Sequence, residues 1–348
     1  MGDILTRAQR IAEEVLFPAA LDVDVSGVIP PSHFDLLARE GFYGLAGKRE
    51  HGGAEVDLPS LIGIVEELAG ACLATTFTWM QHHGVVRSLT TTHNGELREK
   101  YLGAAIRGEL RAGVTYAGVI PDPPLLWAAA TRGGWLVSGQ APLVTGWGMI
   151  DLLQIWARKV AAGDAGNSSG ALIGGLATAE AGAGIVVEEL RMLAVQGSNT
   201  VRLRFQDYYL PAEKVLAEIS HLDFLSNQPQ TLRLNGCLAM GVVARCIQLI
   251  TEAGRPRLAQ ALRAEQATIR DRLDGGLAEP DLLPAARAAA AELALRAAGA
   301  LLTSVGSRGL LAGQHAHRLI REAAFTLVAA SRPNIKANLL ELLGRCYG

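Results

Sequence analysis

The chain lacks a charge excess, a cysteine cluster and an apolar leader. With 34 acidic and 32 basic residues its net charge is −2, so no bulk electrostatic case exists for nucleic acid or an anionic membrane as a partner. Cys72, Cys237, Cys246 and Cys346 are widely spaced and form no CxxC pair. That pattern excludes a disulfide frame or a cysteine zinc site and reads as reduced thiols in a cytoplasmic protein. No Cys/His/Asp cluster suggests a metal. The N-terminal stretch MGDILTRAQRIAEEVLFP carries charges throughout, so a signal peptide is not expected. Apolar runs in 283–312 are interrupted by Arg287, Glu292, Arg296 and Arg308, which favours buried bundle helices over a membrane span. No internal repeat or low-complexity tail is visible, although 285–300 is rich in alanine.

What is present is a well-buried globular composition, 49% hydrophobic and 19% charged over 348 residues, long enough for two or three domains. Residues 4–16 read as an amphipathic helix. Ser32 is placed to cap a helix over His33–Glu40 that Gly41 ends. Leu58–Ala74 reads as a helix with Glu66 and Glu67 exposed, Thr75–Thr92 continues in helical spacing, and Gly95–Tyr101 is another short helix. From Arg111 the texture changes. Short apolar or alternating runs at Ala112–Tyr116, Gly134–Ser138, Leu152–Trp156, Ala171–Ala177 and Gly184–Glu188 are separated by turn residues, among them Gly163–Asn167. In Val201–Gln206 apolar and polar residues alternate, as in a half-buried strand, and Pro211 ends the run. A small barrel or sandwich of about six or more strands is expected. Leu232–Glu252, Ala259–Leu273, Pro284–Val305 and Gln314–Ala330 then read as a four-helix bundle. The domain reading is 1–110 helical, 111–220 β and 221–348 helical bundle.

This order and these lengths resemble the acyl-CoA dehydrogenase family over nearly the whole chain. Four patches carry the resemblance. Trp135–Gly139 followed by Val144-Thr145-Gly146 is similar to the family's GWxLNGxKxWITNG strand. Asp151–Arg158 is similar to ADxFxVxAR, and Gly197–Glu213 to GSxTxxLxFxDVxVPAEN. Gly306-Ser-Arg-Gly309 stands in the place of the GGxG turn, with His317–Ala323 in that of xERxxRDAR. The resemblance implies FAD between the β domain and the bundle, with an acyl-CoA thioester against the flavin. A glutamate takes the α-proton while the β-hydride goes to the flavin.

In this sequence the usual glutamate position falls at Ala330, and the alternative on the first bundle helix falls near Thr231. Residues 326–337 contain no Asp or Glu at all. No catalytic residue is assigned. For the cofactor, the resemblance implies Thr115 and Thr145 near the flavin, with Trp147 either a substitute ring or simple packing beside Gly146 and Gly148. The family's TEPxxGSD loop is replaced by Tyr116–Pro124, whose Pro123 and Pro124 have no N–H to donate. Arg255, Gly306, Arg308 and Gly309 fall where the family contacts the pyrophosphate and adenine, with a solvated arginine on a glycine turn as the other reading of Arg308.

Other polar residues read plainly. His82 and His83 follow Trp79 on a helix and pack or cap, a substrate-pocket role being the alternative. His315 and His317, two apart, point to different faces of a helix. Arg202 and Arg204 are most simply solvated, though the family's neighbouring sheet face looks toward coenzyme A. Asp122, Ser198 and Thr200 are turn formers. Glu322 replaces the family's Asp and reads as one half of an ion pair within the bundle.

The expectation is an acyl-CoA dehydrogenase-type flavoprotein subunit acting in α,β-dehydrogenation of an acyl-CoA thioester, with a partner chain supplying the glutamate and FAD held in a composite site. It resembles the short, base-lacking subunits of actinobacterial sterol-degrading heterotetramers. A homologous subunit or a second copy is the expected partner, in a tetramer or dimer. The alternatives are a flavin-dependent monooxygenase or oxidase on the same fold, and a non-catalytic thioester-binding scaffold. Steroid, branched-chain and polyketide-type acyl groups all remain open.

Overall fold

The computed structural model describes residues 2–160, 168–226 and 228–344; Gly163–Asn167 and Cys346 therefore lie outside the described residues. The chain begins with α1 (Gly2–Ile11), which runs through a π-helical turn, Ala12–Leu16, into α2 (Phe17–Ser26). Then follow α3 (Pro31–Arg39), α4 (Leu58–Ala71), α5 (Leu73–Thr91) and α6 (Gly95–Arg107). Ser32 does not cap α3. The helix starts two residues earlier than expected, with Pro31 at its first position, where a missing N–H and a fixed φ are no handicap. Nor does one helix run from Leu58 to Ala74. Cys72 adopts extended angles (φ −145°, ψ 102°) and separates α4 from α5.

The strands are β1 (Ala112–Val114), β2 (Leu126–Thr131), β3 (Gly134–Val144), β4 (Leu152–Val160), β5 (Ser168–Thr178), β6 (Ile185–Glu189), β7 (Val201–Pro211) and β8 (Val215–Ser220). They form one hydrogen-bonded path in the order β6-β7-β3-β2-β4-β5-β8, with β1 parallel to β4. The sequence pattern does not mark β2 and β8. Ala-rich Leu126–Thr131 has weak strand character by itself, and its antiparallel pairing to β3 supplies the rest. In β7, Val201, Leu203 and Phe205 are buried under the sheet and Arg204 and Gln206 face outward. Arg202 and Arg204 are not simply solvated, because both pair with Glu188 on the adjacent β6.

After α7 (His221–Ser226) come α8 (Gln228–Glu252), α9 (Pro256–Gly275), α10 (Leu283–Val305), α11 (His315–Val328) and α12 (Pro333–Leu343). The last lies in the tail beyond the four bundle segments read from the sequence. By length and composition α8 and α10 could each cross a membrane; here both bury apolar side chains in the helical core.

The N-terminal helices and the bundle share one apolar core, which includes Leu16, Phe34, Leu68, Trp79, Leu238, Val242, Leu293 and Leu319; the sheet has its own. The contact between α4 and α8 is a close backbone join. A Cβ added at Gly241 would lie 2.4 Å from the Glu66 carbonyl oxygen and 2.7 Å from the Gly70 nitrogen, so the two backbones touch where only glycine fits. Beside this contact Glu66 is buried, not exposed as its helical phase suggested. Its Oε2 accepts a hydrogen bond from Arg270 Nε at 2.8 Å, and Arg233, 1% exposed, lies 3.6 Å from Oε1. Burial raises the Glu66 pKa and the two arginines oppose that shift.

Two predictions follow from these buried charges. Glu66→Ala leaves Arg233 without part of its compensation and lowers stability by about 3 kcal/mol in urea unfolding, whereas Glu67→Ala on the same helix stays within about 0.5 kcal/mol. His82 is held neutral, because its Nδ1 accepts from the Ala112 N–H at 3.2 Å while Nε2–H donates to the Ala105 carbonyl at 3.0 Å. Burial, then the neighbouring His83, lowers its pKa from 6.5 to about 3. The folded value lies below the unfolded one, so this stability is complete above pH 6.5 and is lost as pH falls toward 3. The thermal midpoint should drop between pH 7 and pH 5, and His82→Gln should have a flatter profile; parallel profiles would show that His82 carries no linkage.

Candidate functional site

Two turns meet at the end of the sheet next to the helical core. The first is Thr145–Gly148, which leaves β3. Gly146 takes φ +89°, and a Cβ there would lie 3.3 Å from Thr78 Cγ2, placing the turn against α5. The second is Val195–Asn199, which enters β7. Both Val195 (φ 54°) and Asn199 (φ 41°) are left-handed, an unusual conformation for a β-branched residue. Three hydrogen bonds lock the turns together. Gly146 N donates to Ser198 O at 2.9 Å, Trp147 N donates to Asn199 O at 3.2 Å, and Asn199 Nδ2 donates to Trp147 O at 2.6 Å.

Inside this clamp lies a chain of three buried hydroxyls. Ser198 Oγ and Thr200 Oγ1 are 2.8 Å apart, and Thr200 Oγ1 and Thr145 Oγ1 are 3.1 Å apart. Ser198 is 0% exposed, Thr200 2% and Thr145 7%, so Thr145 is the end closest to the surface. Reading Ser198 and Thr200 only as turn formers missed this chain. The signal available in sequence was a Ser-x-Thr pair two residues apart ahead of a strand. Its partner Thr145 lies on a different strand and cannot be found by local spacing.

Thr115 is also near the sheet's inner end, but its hydroxyl donates to Trp156 O at 3.2 Å and accepts from Trp156 N at 2.9 Å. It is fully buried and engaged in holding β1 to β4. Trp147 is half-buried and packs on the sheet's core. Arg255 is elsewhere, the exposed residue preceding α9, and Arg308 is exposed on the turn after α10; among the described residues neither has an acidic partner. Gly306 (φ +76°) supplies that turn's conformation. Gly309 is buried, where a Cβ would lie 2.7 Å from Leu302 Cδ1 and 3.3 Å from Ala316 Cβ, so its smallness lets α10 approach α11. The structure thus brings Thr145 and Trp147 together with two hydroxyls, and leaves Arg255 and the Gly306–Gly309 turn on the bundle.

A separate feature is the turn between α11 and α12. Ala329 ends α11, and Ala330 is exposed with φ 51°. The Ala329 carbonyl accepts from Arg287 NH2 at 3.3 Å; Arg287 is 2% exposed, and burial lowers its pKa to about 10. Arg332 donates to Gln228 Oε1 at 2.6 Å, which ties this turn to the start of α8, the helix carrying half-buried Thr231. Phe77 of α5 meets Phe325 of α11 edge to face at 5.0 Å. The acids nearby are engaged. Glu322 is paired with Arg318 at 2.8 Å inside the bundle, as its ion-pair reading held, and Asp122 pairs with Arg158 at 3.2 Å. The turn is therefore basic, with two arginines and no carboxylate of its own.

His315 and His317 sit in the first turn of α11, where His315 stacks on Phe17 at 4.3 Å and His317 Nδ1 lies 3.3 Å from Arg321. Among the described residues no three His, Cys, Asp or Glu side chains are placed to hold a metal ion.

Residues 3–109 match the family model for the acyl-CoA dehydrogenase N-terminal domain. The chain is 27% identical over 228 residues to the short-chain specific acyl-CoA dehydrogenase of Clostridium acetobutylicum, covering 62% of this chain and 59% of that relative. Cyclohex-1-ene-1-carbonyl-CoA dehydrogenase of Geobacter metallireducens is 24% identical over 93% of this chain and 92% of its own length. Among solved structures, butyryl-CoA dehydrogenase from Megasphaera elsdenii superposes with a TM-score of 0.82 at 17% identity, covering 99% of this chain and 98% of that one. The glutaryl-CoA complex of glutaryl-coenzyme A dehydrogenase gives 0.84 at 18% identity, covering 99% and 95%. At these identities the structural likeness shows the shared fold.

The clamp yields its own prediction. Asn199→Ala removes both the side-chain bond to Trp147 O and a residue tolerant of positive φ, and should weaken the near-UV circular dichroism of the folded protein while leaving the far-UV signal unchanged. An unaltered near-UV spectrum would show that the clamp does not fix Trp147.

Proposed function

The chain belongs to the acyl-CoA dehydrogenase family, and from that premise we propose that it is the base-lacking subunit of a flavoprotein that dehydrogenates an acyl-CoA thioester. The carrying observation is the α11–α12 turn. Ala330 stands where the family places its glutamate, and 326–337 holds no acid that a small shift of register would bring in. The structural surroundings agree, because Arg287 and Arg332 make the turn basic. A carboxylate is needed to take the α-proton, so in this reading it comes from a homologous partner chain.

The residues fit FAD in part. Thr145 offers a hydroxyl at the head of a buried chain, and Arg255 and Arg308 are exposed guanidinium groups suited to phosphate. Thr115 has no hydroxyl proton free, and Pro123 and Pro124 supply no N–H. FAD, when bound, would accept the hydride from the thioester. This chain's part is to hold the flavin edge through Thr145 and, through its bundle surface, to complete a composite site. Its place is proposed as cytoplasmic from its widely spaced cysteines.

The test is the visible spectrum of the purified chain, alone and co-expressed with an acyl-CoA dehydrogenase chain of the same genome that carries the glutamate. A colourless chain that forms a yellow, acyl-CoA-oxidising complex is expected. Ala330→Glu in the isolated chain should not confer acyl-CoA oxidation; turnover by the isolated chain, with or without that substitution, would overturn the composite-site reading. A yellow isolated chain that consumes oxygen and hydroxylates its substrate would point to the monooxygenase alternative.

A further inference from the structure

Arg158 on β4 is 2% exposed and joins three separate stretches of chain. Its Nε donates to the Val119 carbonyl at 3.1 Å, its Nη1 pairs with Asp122 at 3.2 Å, and its Nη2 lies 3.1 Å from Nε2 of His221. A guanidinium can only donate. The His221 nitrogen is therefore the acceptor in the last bond, and it accepts only while unprotonated. His221 opens α7, a helix of six residues that lies over the Tyr116–Trp156 face. Phe224, 3% exposed, has its ring 6.0 Å from Tyr116 and 6.1 Å from Trp156, and His221 stacks on Phe224 at 6.4 Å. The Phe224 carbonyl accepts from Gln228 Nε2 at 2.9 Å, and Gln228 also accepts from Arg332. The helix is thus strapped between the sheet and the α11–α12 turn. Its seat is imperfect, because Trp156 is 5% exposed and its Nε1–H has no acceptor among the described residues. A buried donor left unpaired is costly. The aromatic contacts hold α7 down, the indole N–H opposes them, and the bond from Arg158 to His221 tips the balance toward closure.

We propose that α7 is an acid-released strap: protonation of His221 breaks its bond to Arg158 and uncovers the Tyr116–Trp156 face. The proposal is independent of the flavoprotein reading. Charged groups from three other parts of the chain act on the ring. Arg158 of β4 and Arg332 of the α11–α12 turn oppose its protonation, and Asp122 of the loop before β2 favours it. On α7 itself, Asp223 accepts from the Ser220 hydroxyl at the helix start. Burial, then Arg158, lowers the His221 pKa from its ordinary value of 6.5. A ring released into water returns to about 6.5. Because the closed value is the lower one, closure is fully favoured above pH 6.5 and is lost as pH falls through the closed-state value.

The test is hydrogen exchange of the Leu222–Ser226 amides in the full chain, followed by mass spectrometry at about pH 8 and about pH 5 and corrected for the intrinsic pH dependence of exchange. Protection of α7 should be about tenfold lower at the acid pH, while Leu238–Val243 in α8 keeps its protection. His221→Gln retains an acceptor that does not titrate, so α7 should stay protected at both pH values. His221→Leu removes the acceptor, and α7 should be unprotected at both. Equal protection of α7 at the two pH values in the unmodified chain overturns the strap, as does an acid loss that persists in His221→Gln. Loss of protection in α7 and α8 together also overturns it, since the opening is then global. If His221→Leu fails to fold, the unmodified chain and His221→Gln decide the matter.

Discussion

The contact between α4 and α8 is the constraint on which the arrangement depends. Gly70 and Gly241 let the two backbones touch, and Glu66 places a carboxylate between Arg233 of α8 and Arg270 of α9 at the same level. Arg245, one turn past Gly241 along α8, donates to the Gly70 carbonyl and pairs with Glu13 of the N-terminal helices. Apolar burial alone is non-directional. These buried charges and the glycine contact add a register, and the N-terminal helices and the bundle consequently form one core instead of two.

That shared core explains how the β module is held. The sheet has an apolar interior of its own and packs on α5 and α6 through a further buried cluster that includes Val85, Leu89, Leu102, Ala112, Leu152 and Leu216. Arg321 of α11 pairs with Asp24 of α2 and also donates to Leu193 O, next to the clamp that leads into β7. His82 of α5 accepts from the first residue of β1. The turn carrying Thr145 is thus fixed from the sheet side by Asn199 and from the helix side by α5. A site built on such a join is rigid because both of its supports are rigid.

The chemical character of the site follows from what has replaced what. Where the family's reaction calls for a proton acceptor, the α11–α12 turn has alanine flanked by two arginines. Where it calls for a polar contact at the sheet edge, the hydroxyl of Thr145 remains and is backed by two more. Absence of an acid on that turn and presence of a hydroxyl at the sheet edge are the two observations on which the proposed function rests.

The sequence by itself determined the three-part order of helices, strands and bundle, because periods of two and 3.6 residues are local properties. It also determined the missing acid, since no fold can place a carboxylate within 326–337 when none is encoded. The alternation in β7 was legible for the same reason. Tertiary structure decided the rest. Glu66 looks exposed in helical phase and is buried because α8 packs on α4 at that level and Arg270 of α9 reaches over to it. Arg202 and Arg204 look solvated and are paired because β6 lies beside β7. β2 is a strand because β3 and β4 flank it. Ser198 and Thr200 look like turn formers and are part of a hydroxyl chain because Thr145, far away in sequence, ends an adjacent strand. In each case the partner is distant along the chain, and only folding brings it into hydrogen-bonding or ion-pairing range.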